Sequence, residues 1–276
     1  MSANHSNQDP DPPPSADAAL TVEQAISQLQ GEDLGLRFYA AWWLGKFRVR
    51  EPAAISALIA ALTDEDDRTA AGGYPLRRNA ARALGKLGDR SAVPALINCL
   101  DCSDYYVREA AAQALETLGD PAAIPPLTQL LSATSAQLDQ AQPTPAQPYD
   151  ALLEALGSLG AVAAIPLIQS FLDHPTERVQ YAAARAMYQL TGESAYGDRL
   201  IQALRGPSLQ LRRAVLADLG AIGYLGAAEA IAQAHAENSL KLISLKGLIE
   251  HHIPADPALR VPARVVEVMK LMDALL

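Results

Sequence analysis

A pattern of apolar and small residues recurs along the chain with the period of an α-helix. Each copy starts with an apolar residue or Pro and places apolar or small residues at its first, fifth, eighth, ninth and twelfth positions, which share one helical face. Most starts are 31 or 32 residues apart, and two are 40 and 41 apart. The six clear copies begin at Leu36, Leu76, Val107, Pro148, Val179 and Leu211, and a weaker seventh begins near Leu242.

A shorter apolar segment accompanies each copy, so every period predicts two helices. Pro94, Pro125 and Pro166 fall in the first turn of such segments, where a missing N–H costs little. Leu-Gly-Asp at 87–89 and 118–120 supplies a Gly to end one helix and an Asp to cap the next. Helical pairs repeated at a period of about 31 residues predict an all-α fold, an α-solenoid of about seven HEAT-like hairpins.

The repeat also predicts how the chain is divided. Residues 1–19 are rich in Pro, Ser, Asp and Asn, and we expect a disordered tail. Residues 20–276 are expected to form one solenoid domain, with insertions near 65–75 and 135–147 where the period lengthens. The last segment, Val261 to Leu276, reads as an amphipathic helix that caps the final hairpin.

Composition narrows the class of protein. Half of the 276 residues are hydrophobic and the formal net charge is −9, which argues against non-specific nucleic-acid binding. No apolar stretch is long enough for a membrane span, and two cysteines provide no disulfide framework. We therefore expect a cytoplasmic protein without membrane or nucleic-acid partners. Cys99 and Cys102 lack a second ligand pair, and His251-His252 ends a helix, so no metal site is predicted.

The third and seventh positions of each copy face away from the apolar stripe. In HEAT solenoids these helices line the concave surface, so we expect a ladder of side chains along a groove. The alternative is that these side chains form a solvent-exposed face, with salt bridges between neighbouring helices that each contribute little to stability. The ladder reads Phe38 and Trp42, Arg78 and Arg82, Glu109 and Gln113, Asp150 and Glu154, Tyr181 and Arg185, and finally Arg213.

Aromatic residues are scarce but concentrated. The chain has fourteen, and five of them lie in one helix: Phe38, Tyr39, Trp42, Trp43 and Phe47. Neighbours on a helix diverge by about 100°, so Trp42 and Trp43 cannot both face the core. We expect Trp43 in the core and Trp42 in the groove. No nucleophile elbow, phosphate loop or His-Glu-x-x-His is present, so a self-contained hydrolase is not indicated.

Two segments contain residues that a generic HEAT repeat does not require. They are Leu36-Arg-Phe-Tyr-Ala-Ala-Trp-Trp-Leu-Gly-Lys and Gly72-Gly-Tyr-Pro-Leu-Arg-Arg-Asn-Ala-Ala-Arg. Both resemble the E subunits of the E/F-type phycocyanobilin lyases, of the phycobilisome-lyase HEAT-repeat family. The resemblance implies a heterodimer with an F-type subunit that attaches phycocyanobilin, through a thioether, to a cysteine of the phycocyanin α subunit. It implies phycocyanobilin as substrate and no further cofactor, with the nucleophile on the acceptor.

The groove ladder supplies hypotheses for such a site. Arg78 and Arg82 would pair with the bilin propionates, and Trp42 and Tyr74 would lie against pyrrole rings. Asp150 or Glu154, the candidates for a catalytic group, would accept hydrogen bonds from pyrrole N–H groups and relay a proton. The remaining predicted bilin-binding residues are Glu109, Tyr181 and Arg185.

Other readings remain open at this point. One is a lyase-isomerase, or a lyase for a different bilin. Another is a non-catalytic HEAT-repeat chaperone or chromophore-detaching factor for phycobiliproteins. A general protein-interaction scaffold is a third, although a scaffold has no need to cluster aromatic residues in one rung.

Overall fold

All regular elements are helical in the computed structural model, which describes residues 20–135, 147–253 and 260–276. The predicted tail and nearly all of the second insertion lie outside these residues. Short 3-10 turns precede several of the α-helices. The helices are α1 (Val22–Leu29), α2 (Leu34–Lys46), α3 (Pro52–Ala61), α4 (Pro75–Leu87), α5 (Val93–Asn98), α6 (Tyr105–Leu118), α7 (Ile124–Ser135), α8 (Tyr149–Ser158), α9 (Ile165–Gln169), α10 (Glu177–Thr191), α11 (Ser194–Ala203), α12 (Leu209–Ile222), α13 (Ala228–Gln233), α14 (Asn238–Glu250) and α15 (Ala263–Asp273).

Consecutive helices pair into antiparallel hairpins, from α1 with α2 to α13 with α14. The described residues thus contain seven hairpins, and the predicted α-solenoid is confirmed. The final helix, α15, buries Val265 and Val268 against α13 and α14. Gly88 and Gly119 end α4 and α6 in the left-handed conformation, while Asp89 and Asp120 accept from backbone N–H groups of the turns that follow.

The second helices of the hairpins, α2, α4, α6, α8, α10, α12 and α14, form one continuous row, which we call the inner row. They pack directly against one another, whereas the first helices, apart from α1 and α3, contact mainly their own hairpin partners. Closer spacing on one side bends a stack toward that side, so the inner row lies on the concave face. This is the face on which the sequence placed the candidate residues.

Small residues set the spacing of the inner row. A Cβ added to Gly45 would lie 2.8 Å from the Cα of Ala83, and one added to Gly157 would lie 2.6 Å from the Cα of Ala186. Real Cβ atoms do not approach backbone carbons that closely. The tenth position of one repeat thus packs against the eighth position of the next, with no room for a methyl group.

The first insertion is held in place by charged side chains. Arg37 of α2 forms an ion pair with Asp64, and Arg77 of α4 forms one with Glu65. The Asp67 carboxylate accepts from the backbone N–H of Leu76 at 2.9 Å. The loop between α3 and α4 is therefore pinned to the helices on both sides of it.

We expect Gly157→Ala to destabilise the fold by about 1–3 kcal/mol, because the added methyl group would overpack the α8–α10 contact. Thermal and urea unfolding would measure the loss. Gly35→Ala is the matched control: Gly35 also lies in a helix, but its added Cβ would meet only the Asp33 side chain, at 3.2 Å. Equal stability of the two variants would contradict the packing argument.

Candidate functional site

Several aromatic side chains of α2, the first helix of the inner row, are exposed to solvent. The Trp42 side chain is 43% exposed and Phe38 is 37% exposed, while Trp43 is partly buried against the core and contacts the Phe47 ring at 4.9 Å. Tyr39 lies 5.5 Å from Trp42 between ring centroids. Trp42 is thus available to a ligand or partner, as expected from the divergence of adjacent helical residues, and Trp43 packs against the core.

Arg78 lines a cavity of about 400 Å³ between the start of α4 and the start of α6. Its guanidinium lies 5.7 Å from the ring centroid of Tyr106, a side chain that is 55% exposed. The Nε of Arg78 is buried and has no hydrogen-bond partner in the described part of the chain. A guanidinium that lines a cavity beside an exposed aromatic ring is suited to bind a carboxylate on a flat ligand.

Tyr74 lies beside Arg78 but is not open. The residue is buried, and the guanidinium of Arg77 lies 4.0 Å from its ring centroid. Its backbone N–H donates to Asp104 at 2.7 Å and its hydroxyl donates to Glu65 at 3.3 Å. The expectation that Tyr74 presents its ring to a pyrrole is wrong for this conformation, because a cation already covers the ring.

Arg82, one turn beyond Arg78 on α4, is more exposed and opens onto a different cavity. Its Nη2 lies 4.0 Å from Oε2 of Glu109 on α6. Burial and the neighbouring Asp150 raise the pKa of Glu109, and Arg82 opposes this. The two arginines predicted to act together therefore serve two adjoining cavities.

The middle of the inner row carries a partly buried ion cluster that spans four helices. Arg185 of α10 contacts Glu116 of α6 at 2.6 Å and Glu154 of α8 at 2.9 Å. It also contacts Asp218 of α12 at 3.3 Å. Arg185 was predicted as a bilin-binding residue, and the structure places its guanidinium among three carboxylates, where it is buried.

Arg178 completes this cluster from the first turn of α10. It contacts Asp218 at 2.6 Å and Asp150 at 3.5 Å, and it forms an ion pair with Glu154. The ion cluster consists of Glu116, Asp150, Glu154, Arg178, Arg185 and Asp218, so four carboxylates face two guanidinium groups. Ionised throughout, it would carry two uncompensated negative charges.

Glu154 is the carboxyl that relieves this excess. Burial, and then the nearby Asp218, raise the pKa of Glu154 to about 8, although Arg178 and Arg185 oppose the rise. Glu154 therefore takes up a proton at a higher pH than a free glutamic acid does. Asp150 is the more open of the two predicted catalytic candidates, with a side chain that is 30% exposed. The pair thus places a carboxyl with a raised pKa one turn from a more solvent-accessible one.

Tyr181 lies apart from these groups. It lines a cavity between α10 and α11 with Gln180 and Arg199, and burial raises the pKa of its hydroxyl. The structure therefore does not bring Tyr181 together with the predicted residues of α2 and α4.

Other chemistry is limited in the described part of the chain. Cys99 and Cys102 are both free, and burial raises the pKa of the Cys99 thiol to about 11, so that thiol is inert. The described residues hold no set of three or more His, Cys, Asp or Glu arranged for a metal ion. Among them, too, no helix combines the length and hydrophobicity that a membrane crossing needs.

Comparison with known proteins matches both the repeat and the whole chain. HEAT repeats match residues 73–143, and the PBS lyase HEAT-like repeat matches residues 36–64, 149–174 and 179–206. The phycocyanobilin lyase subunit alpha of Nostoc sp. is 63% identical over 260 residues, which are 93% of this chain and 94% of that protein. The chain belongs to the phycocyanobilin lyase alpha subunit family. It is accordingly a lyase subunit.

Two further relatives agree with this family. The subunit alpha of Microchaete diplosiphon is 67% identical over 94% of this chain and 91% of that protein. A solved structure of the complex of CpcE and CpcF of phycocyanin lyase from Nostoc sp. matches with a TM-score of 0.86 and 60% identity, covering 98% of this chain and 100% of that one. The resemblance inferred from the Trp-Trp helix and the Gly-Gly-Tyr-Pro segment is confirmed.

Sequence reasoning missed several residues that this lyase subunit brings to the inner row. Tyr106, Arg178, Glu116 and Asp218 were not singled out. Two of them depart from the repeat, and this departure was visible in the sequence. Glu116 occupies the tenth position, which is glycine in four other copies. Asp218 occupies the eighth position, which is alanine in four other copies.

We expect Glu154→Gln to flatten the pH dependence of stability. A carboxyl whose pKa is raised in the folded state stabilises fully below its unfolded value, near 4.5, and this contribution is lost as pH rises toward about 8. The wild type should therefore lose stability over this window, by at most ~1.4 kcal/mol per pH unit for one proton, and the variant should lose less.

Urea unfolding at pH 5, 6, 7 and 8 measures this difference. Glu237→Gln serves as the control, since Glu237 lies in an exposed ion pair with Arg213 and its pKa is lowered. Parallel curves for wild type and Glu154→Gln would refute the assignment of the proton to Glu154.

Proposed function

We propose that this chain acts with an F-type partner subunit to attach phycocyanobilin, through a thioether bond, to a cysteine of the phycocyanin α subunit, and holds the bilin against the inner row. The observation that carries the proposal is the arrangement of the inner row in a chain of this lyase family. Exposed aromatic rings and incompletely paired cations lie at one end, and a carboxylate-rich cluster lies two helices further along.

The arrangement suits a long, flat dicarboxylate with pyrrole N–H groups. Adjacent packed helices are about 8–10 Å apart, so α4 and α8 are roughly 16–20 Å apart. In the proposal, Arg78 and Arg82 bind the propionates, and the Trp42 and Tyr106 rings lie against the tetrapyrrole. Asp150 accepts from pyrrole N–H groups at the other end. Tyr74 positions Arg77 and the first insertion and does not stack on the ligand.

The bond-forming step requires little covalent chemistry from this chain. The thiol of the acceptor adds across the ethylidene double bond of ring A. Sulfur bonds to the exocyclic carbon, the thiol proton is delivered to the adjacent ring carbon, no group leaves and no oxidant is needed. The lyase supplies proximity and orientation, which account for much of the acceleration of such reactions. Asp150 and Glu154 hold a proton where the bilin can exchange it.

We extend the proposal to the cofactor requirement and the cellular location. No cofactor beyond the bilin substrate is required, because addition of a thiol to an activated double bond is redox-neutral. A cytoplasmic location is supported by the two free cysteines, Cys99 and Cys102.

Co-expression tests the function as a whole. The chain, an F-type partner, apo-phycocyanin α subunit and phycocyanobilin should together give a covalent band that fluoresces with zinc, and omission of either lyase subunit should abolish it. A band with shifted absorbance would indicate a lyase-isomerase. A band that appears only when another bilin is supplied would identify that bilin as the substrate. Retained binding to the apo-subunit without any band would favour the chaperone.

The combined change Arg78→Ala and Arg82→Ala should slow bilin transfer at least about tenfold, because each charge-assisted contact contributes ~1.5–3 kcal/mol. The measurement is the initial rate of covalent attachment with the partner present. Arg264→Ala with Lys270→Ala, two exposed cations of α15, is the matched control. An unchanged rate and unchanged bilin absorbance in the site variant would refute the propionate assignment.

A further inference from the structure

A basic cavity lies between the C-terminal ends of α2 and α4, beside α6. Its volume is about 490 Å³, and its charged lining consists of Arg48, Arg50, Arg82 and Lys86. The floor is made of small residues, Gly85, Ala110 and Ala114 among them. Every charged side chain that lines it is a cation, although the whole chain carries a formal net charge of −9.

These cations lack the close carboxylate partners that the arginines of the first insertion and of the ion cluster have. Within the described residues, their closest carboxylate contact is the 4.0 Å approach of Arg82 to Glu109. Arg37, Arg77, Arg178 and Arg185, by contrast, all form closer ion pairs. The C-terminal dipole of α4 accounts for a favourable position of Arg50 and Lys86, but it does not explain why Arg48 is directed there.

Arg48 adopts a backbone conformation that favours glycine. Its φ is +52°, and it is the one non-glycine residue with positive φ in the described part of the chain. The same position of the repeat is glycine in four other copies, Gly88, Gly119, Gly160 and Gly223, each with φ between +64° and +76°. The chain therefore keeps a strained arginine where its own repeat offers an unstrained glycine, which indicates a use for the side chain other than stability.

We propose that this cavity is a carboxylate-binding subsite of the bilin site, with Arg48 as a binding residue beside Arg82 and Lys86. The proposal rests on the proposed function and adds to it. A guanidinium can bind a carboxylate through two parallel hydrogen bonds, and the neighbouring cations favour a second negative charge. Arg48 lies just beyond the end of α2 and six residues after Trp42, so a ring on Trp42 can extend a propionate toward the cavity. The small floor and bounded volume suit such an arm rather than a protein surface.

Binding of phycocyanobilin and of its dimethyl ester to the full chain with its partner tests the subsite, because the ester lacks both carboxylates. For Arg48→Gly we expect the Kd of the free acid to rise about tenfold, which corresponds to ~1.4 kcal/mol, and the Kd of the ester to stay unchanged. Its melting temperature should equal or exceed that of the wild type, since glycine relieves the strain. Lys86→Gln, which leaves the backbone unchanged, should also raise only the Kd of the free acid.

Lys46→Ala is the control, since Lys46 is an exposed cation in the last turn of α2 that does not line the cavity. Wild-type affinity of both site variants for the free acid would overturn the subsite and leave the proposed function standing. Normal bilin affinity combined with weaker binding of the apo-acceptor would overturn it in favour of an acidic segment of the acceptor. Absence of bilin binding by the wild-type lyase would overturn the proposed function and the subsite together.

Discussion

The close approach of the inner helices through glycine and alanine is the constraint on which the rest of the structure depends. Where the tenth position is Gly45 or Gly157, it packs against an alanine of the next helix with no space for a methyl group, and Gly85 packs nearly as closely against Ala114. This contact draws one side of each hairpin together, so the stack curves and the inner row becomes a groove. The groove residues gain their neighbours from this spacing, because side chains on adjacent helices can then meet.

The ion cluster sits where this packing rule is broken. Glu116 replaces the glycine of α6, and Asp218 replaces the alanine of α12. Between them, Gly157 lets α10 approach α8 so closely that Arg185 reaches across to Glu116. Breaking a buried ion network is costly, whereas forming one contributes little net stability. The gain in stability from such a network is therefore too small to explain the two substitutions by itself.

The sequence predicted the hairpins, the exposed Trp42 and the family, because each depends on local periodicity or on a short segment. It could not predict that Tyr74 lies under Arg77 or that Arg185 is enclosed. Tyr74 is bound by Asp104, thirty residues away, and Arg185 by Glu116, sixty-nine residues away. Helical position specifies which face a side chain occupies, but not which charged groups from neighbouring repeats share that face. Departures from the repeat consensus, at Arg48, Glu116 and Asp218, were the signal that the sequence did contain.

The charge of the inner row changes from one end to the other, and this bears on where the parts of a bilin would bind. Cations and aromatic rings are concentrated in α2 and α4, and carboxylates in α8 and α12. A tetrapyrrole carries its negative charges on the propionates of its two central rings and its donors on the nitrogens of its rings, so seating the central rings against α8 and α12 would place carboxylates against carboxylates. Like-charge contacts in a partly buried groove are costly. The gradient of charge would therefore direct the propionates toward α2 and α4 and leave pyrrole N–H groups to the carboxylates further along the inner row.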